Sequence, residues 1–254
     1  MELLALCWVL LAGTLLSTSA ANSALQEGDL GPITKQMDMA RYSFDDQYEG
    51  CNVSIWHELR EVNHTEFAMN NLYADSWRKA AAKWRKRCCR PTNCPKLRPK
   101  QAIAVLAYTD SCGLCEEFNA DTRQGGICHQ YYFNLYNFKT LHFLLTQALF
   151  ALRASQPRCY YVYRGVPGVR FMVQRGMSVR FGQFTSTSLR KEVAVSFGND
   201  TRFEVKTCYG VPKSRSPSSL LRMKSSSHPL KSLRSPTFLK PMADSKSVSA
   251  LRGR

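Results

Sequence analysis

The composition breaks after Gly210, and that break limits how much of the chain can gather round one core. Residues 211–254 hold twelve Ser and ten Lys or Arg against one acid, Asp244, and one aromatic, Phe238. So little apolar surface, with no sustained period, cannot offset the entropy of ordering the segment. Residues 211–254 are therefore expected to form a disordered basic tail. What remains of the 254 residues suits one domain with a substantial core.

The other end sets the compartment. Residues 3–11 form an apolar run continued by Leu15 and Leu16, and the small residues 17–21 come next. That pattern predicts a signal peptide over residues 1–21. The run is too short for the ~20 apolar residues of a transmembrane span. Its leading residues are atypical, with Glu2 and no Lys or Arg. The expected product is secreted through the endoplasmic reticulum lumen, with no transmembrane span and a folded part over residues 22–210.

An oxidising compartment turns close thiols into disulfides rather than zinc ligands. No metal is therefore expected at Cys112-Gly-Leu-Cys115 or at Cys88, Cys89 and Cys94, although both groups have metal-like spacing. Nine of the ten cysteines remain once Cys7 leaves with the signal, so at least one is a free thiol or pairs between molecules. Sequons at Asn52, Asn63 and Asn199 are glycosylation candidates and should lie on the surface if they are used.

The net charge of +16 comes from two places. Residues 77–100 carry ten Lys or Arg and no acid, the tail carries most of the rest, and the remainder is slightly acidic. Two patches are not a basic domain, so no specific nucleic-acid partner is expected. The patches could still attract polyanions such as heparin-like chains, the reading of the chain as a non-catalytic basic binding protein.

Within the folded part, Tyr73, Trp77, Ala81 and Trp84 recur at helical spacing and predict an amphipathic helix over residues 67–87. Residues 88–99, with three prolines, read as a loop. The short apolar run 101–109 suits a buried strand, though periodicity does not exclude a helix. Residues 138–153, dense in Leu and Phe, predict a largely buried helix. Strands are expected at 159–164, 179–184 and 202–208, between Gly- and Pro-bearing turns. Helices first and strands second indicate an α+β fold.

Several stretches then stand together, in order and at plausible spacing over residues 37–210. They are Ser43-Phe-Asp-Asp-Gln-Tyr48 with Cys51, Asn63-His-Thr-Glu-Phe67, Tyr73-Ala-Asp-Ser-Trp77, Leu106-Ala-Tyr-Thr109 and Glu117-Phe-Asn119. Phe138-Lys-Thr-Leu-His-Phe-Leu-Leu-Thr146, Tyr163-Arg-Gly165, Phe184-Thr-Ser-Thr-Ser188 and Thr207-Cys-Tyr-Gly210 complete the set. Each is weak alone; the set resembles the vertebrate ecto-type arginine-specific mono-ADP-ribosyltransferases.

That resemblance implies an NAD(+) cleft between two short sheets, with NAD(+) or NADP(+) as substrate, no metal, and arginine-bearing proteins as acceptors. It also implies an Arg, a Ser and a Glu drawn from three successive β elements. Arg164, at a strand end, suits the pyrophosphate because its planar fork donates two hydrogen bonds at once. Gly165 permits close backbone approach, and by the resemblance its main chain holds the nicotinamide carboxamide. Ser186 would fix the nicotinamide ribose, with Gln183 facing the same cleft; Tyr108 is a weaker candidate contact and reads more readily as core. Cys159 and Cys208 match a family disulfide. Cys51 matches a cysteine whose partner would lie near the domain's C-terminus, where no cysteine is found after Cys208.

The family's Glu is the second of an E-x-E stretch after Thr-Cys-x-Gly. Here that region holds Ser225-Ser-Ser-His228 and no acid before Asp244. Met223-Lys224 is encoded AUG-AAR, so the register that takes the last base of the first codon reads GAA, a glutamate. Extending that register over residues 213–238 with permitted synonymous codons gives a sequence similar to the family's E-x-E strand and the segment after that strand. The chain is therefore expected to leave the family reading frame between Gly210 and Lys213, and as written to lack transferase activity. A residual NAD glycohydrolase, with water replacing arginine, is the enzymatic alternative.

Overall fold

The computed structural model describes residues 31–87, 97–155, 159–212 and 219–222. The expected signal peptide, Cys88, Cys89, Cys94 and the tail beyond Arg222 lie outside them. After strand β1 (Ile33–Gln36) come six helices: α1 (Asn52–Met69), α2 (Asn71–Arg87), α3 (Pro99–Asp110), α4 (Cys112–Gln124), α5 (His129–Asn134) and α6 (Lys139–Ser155). Then come strands β2 (Tyr160–Val166), β3 (Val169–Met172) and β4 (Thr185–Ser188), helix α7 (Lys191–Val195), and strands β5 (Thr201–Thr207), β6 (Gly210–Pro212) and β7 (Ser219–Arg222). The α+β segregation is as expected.

The helices enclose a large core. Tyr73, Phe118, Phe138, Leu141, Leu144, Leu145 and Leu149 all lose their solvent contact there. Helix α6 supplies the most, because its apolar residues cover a wide arc. Its N-terminus is capped from a distance: the buried Glu66 carboxylate accepts the backbone N–H groups of Lys139 and Thr140. An anion there satisfies donors that have no partner inside the helix and faces the positive end of its dipole. Burial nevertheless pushes the Glu66 carboxyl above its usual range, against those hydrogen bonds.

Two sequence expectations need correction. Residues 101–109 form helix, not strand. Pro99 starts α3 where its missing N–H costs nothing, the Gln101 side chain accepts from Arg98 N (2.9 Å), and Ala102, Ala104 and Ala107 favour the helix. The helix expected from residue 67 begins at Asn71 instead, because Asn70 ends α1 and its Oδ1 caps Tyr73 N (2.8 Å).

The strands form two sheets. β1 pairs with β3 in parallel, and the larger sheet has the order β5-β2-β4-β7-β6. Residues 179–184, expected as a strand, join neither. Their groups instead bind the segment before α1: Arg180 N donates to Asp38 O (3.0 Å), the Ser43 hydroxyl to Gly182 O, and the Arg180 guanidinium to Met39 O, Ala40 O and the Asp45 carboxylate. Order also continues past Gly210, where none was expected, since β7 pairs with both β4 and β6. The run Leu220-Leu221 gives β7 an apolar pair within a Ser- and Lys/Arg-rich tail.

Candidate active site

β2 pairs with β5 from end to end, yet meets β4 at a single register pair, Tyr163 with Ser188. β4 is held along its other edge by β7 through all four residues. The sheet is therefore incompletely closed along the β2–β4 seam, and Arg164 stands one residue beyond the last pair. Its Nη1 donates to the Ser186 carbonyl (2.8 Å), bridging the seam. The other guanidinium donors have no acceptor among the described residues. Burial lowers the Arg164 pKa, and the neighbouring Tyr108 and Cys115 act in the other direction. A half-buried cation with free donors at an open seam is suited to a bidentate anion.

Tyr108 reaches the seam from α3 through the core and is 3 % exposed. Its hydroxyl donates to Phe184 O (3.2 Å) and accepts from Asn119 Nδ2 (3.1 Å). Burial pushes its pKa far above the ordinary tyrosine value. Tyr108 is thus a core side chain, the reading the sequence favours, and it braces the residue before β4. Asn119 is a residue that sequence reasoning used only as a motif letter.

Gly165 has a packing reason of its own. A Cβ there would stand 2.2 Å from both Ala194 O and Gly198 O, so the end of α7 and the turn after it can approach β2 only at glycine. A depression lined by Tyr163, Gly165, Lys191, Arg202 and Glu204 lies on this side of the sheet. Gln183 is near the seam, but its Oε1 accepts from Arg123, which the sequence reading did not single out. Two residues before Arg123, burial and then Glu117 raise the Asp121 carboxyl to about 6.

Cys159 and Cys208 are bridged, joining the outer ends of β2 and β5, as the resemblance implies. Cys128 is also disulfide-bonded, while Cys51, Cys112 and Cys115 are free thiols. Among the described residues no group of three or more His, Cys, Asp or Glu is placed to hold a metal ion. Asn52 and Asn199 are exposed; Asn63 is half-buried, and its carboxamide accepts from the Tyr73 hydroxyl (3.3 Å). On α2, Arg78 pairs with Asp75 and Lys83 with Asp110, so part of the basic face is already neutralised.

The family described as NAD:arginine ADP-ribosyltransferase matches residues 37–217. NAD(P)(+)--arginine ADP-ribosyltransferase 2 of Gallus gallus is 71% identical over 212 residues, covering 84% of this chain and 68% of that protein. The GPI-linked NAD(P)(+)--arginine ADP-ribosyltransferase 1 of Homo sapiens is 42% identical, over 79% of this chain and 65% of its own length. A crystal structure of the eukaryotic mono-ADP-ribosyltransferase ART2.2 in complex with NAD superposes with a TM-score of 0.65 at 33% identity, covering 76% of this chain and 85% of that one.

Proposed function

Because the chain belongs to the NAD:arginine ADP-ribosyltransferase family, we propose that it binds NAD at the seam between β2 and β4. The family attaches a single ADP-ribose from NAD to arginine. In that reaction the bond from the ribose anomeric carbon to nicotinamide breaks, the same carbon joins an arginine nitrogen, and that nitrogen gives up a proton. In this chain Arg164 holds the pyrophosphate, Ser186 the nicotinamide ribose and the Gly165 main chain the carboxamide. Tyr108 acts through Phe184, the residue before β4, rather than on NAD, and Gln183 reaches the cleft only by releasing Arg123. The acceptors are arginine side chains of extracellular proteins. No described helix is long and apolar enough to cross a membrane.

The observation that carries this reading is the Arg164 guanidinium: half-buried, anchored by one donor, and open to a ligand through the others. Arg164→Ala should weaken NAD binding about tenfold or more, the 1.5–3 kcal/mol of a charge-assisted hydrogen bond. Calorimetric titration of the folded variant checks this, and an unchanged isotherm removes the assignment.

Binding is not transfer. The positive charge that develops at the anomeric carbon needs a carboxylate, and the written frame supplies none in the E-x-E region. We therefore propose that this chain holds NAD with negligible transfer. Labelled NAD separates the outcomes: free ADP-ribose marks a glycohydrolase, ADP-ribosylated arginine a transferase.

A further inference from the structure

Cys112 and Cys115 are both free thiols on the first turn of α4. Three residues apart on a helix, their side chains share one face with Cβ atoms roughly 5–6 Å apart, within a small adjustment of the separation a disulfide spans. Their exposures differ. Cys112 faces solvent, and Cys115 is half-buried.

Cys115 packs against the core cluster that contains Tyr108 and Phe184. Its sulfur is also within electrostatic reach of the Arg164 guanidinium. Burial pushes the Cys115 thiol up, Cys112 and Glu116 add to this, and Arg164 opposes it. Asn119, one turn further along the same face, holds the Tyr108 hydroxyl. One face of α4 therefore joins an accessible thiol to the supports of Arg164 and Ser186. Among the described residues no third ligand joins these two sulfurs to make a zinc site.

We propose that Cys112 and Cys115 form a reversible dithiol–disulfide site, coupled to the NAD cleft, whose co-reactant is a small-molecule disulfide. The Cys112 thiolate attacks one sulfur of the disulfide, expelling one thiolate and leaving a mixed disulfide on Cys112. Cys115 loses its proton and attacks the Cys112 sulfur, expelling the second thiolate. Two protein thiols lose two electrons and two protons, and one small disulfide becomes two thiols. Closure draws the Cys115 sulfur away from Arg164 and tightens the turn that positions Asn119, so the oxidised form binds NAD more weakly.

The coupling, though not the thiol chemistry, rests on the placement of NAD at Arg164. The test equilibrates the full chain with oxidised or reduced glutathione, alkylates it, and maps the 112–115 peptide by mass while NAD is titrated in parallel. The expected result is a peptide protected from alkylation and about 2 Da lighter in the oxidised sample, reversed by dithiothreitol, with NAD affinity several-fold lower. Cys112→Ser, which leaves the half-buried Cys115 in place, should show one NAD affinity in both buffers. Full alkylation of both thiols in both buffers overturns the site, and equal NAD affinity of the two wild-type forms overturns the coupling. Reversible closure without NAD binding in either form upholds the dithiol and removes the cleft assignment.

Discussion

The helical part, residues 52–155, and the strand-rich part, residues 159–222, are held together by different means. The first buries a continuous cluster of aromatic and Leu side chains, with Phe118 in ring contact with Tyr108, Phe138, His142 and Phe184. The second has a small core of Val162, Phe203 and Val205, completed by Met37 from the segment before α1. It is held by the Cys159–Cys208 bridge and by Arg180 binding the segment before α1. The candidate site lies in the thin part and is supported from the thick one by Tyr108. Its geometry thus depends both on the helical core and on whatever closes the outer strands.

The largest expected effect concerns those outer strands. Restoring the other reading frame from Lys213 should raise arginine ADP-ribosylation by about 10²–10⁴, the usual cost of losing one such group. Labelled NAD and an arginine acceptor, compared per folded molecule, measure it; equal rates in both frames would show that the E-x-E stretch is not the catalytic element. A sharper version stays in the written frame. β7 places Leu221 opposite Ser186 in register, and the alternative register would put the two glutamates at positions 221 and 223. Leu221→Glu with Met223→Glu should therefore recover part of the transfer.

Next come the two cores. Phe118→Ala should cost about 3–5 kcal/mol in denaturant unfolding, as large-to-small changes in packed cores do. Replacing Cys159 and Cys208 together by Ser should cost roughly 4 kcal/mol in the chain-entropy treatment of a loop of this length. The comparison is sharpened by where protection is lost. Hydrogen exchange should accelerate in β2 and β5 in the disulfide variant while α3 and α6 stay protected; uniform loss in both variants would mean that the two parts unfold as one.

The smallest effect is electrostatic. Asp121 titrates at about 6 when folded and at the ordinary aspartate value of 3.8 when unfolded, so between those values the folded state binds more protons. Stability falls as pH rises through that window, and the penalty is complete above about 6. Asp121→Asn should remove the penalty at pH ~7 and change nothing well below pH ~4, by under about 1 kcal/mol after solvent screening. Thermal midpoints across that range check it, and a stabilisation confined to acid would reverse the sign.

Legibility divides along the same line. Residues 138–153 are readable because a long apolar arc has one solution, and the observed helix runs Lys139–Ser155. Residues 101–109 are not, since a short apolar run lacks a polar face to reveal its period; Pro99 with Gln101 is the available sign of a helix start. Residues 179–184 have strand composition but bond to residues 38–45, a pairing set by Arg180 over a long sequence separation. Arg164 and Ser186 can be named from their motifs and lie together at one seam. Asn119, Arg123 and Cys115 cannot, because each acts on the seam through a neighbour that only the fold provides.

The close contact at Gly165 means that two adjacent positions answer to different demands. On the proposed placement of NAD, position 164 is judged by what it binds, and position 165 by the 2.2 Å that separates a hypothetical methyl group from two backbone oxygens. In a scan of substitutions both would read as indispensable. At 165 the damage would appear with no nucleotide present, as displacement of α7 from β2, and shortening the turn at Gly198 could not relieve it because Ala194 is as near. Selection on folding alone would keep this glycine in a lineage that had ceased to use NAD, so its retention carries no information about catalysis, whereas retention of the arginine beside it does.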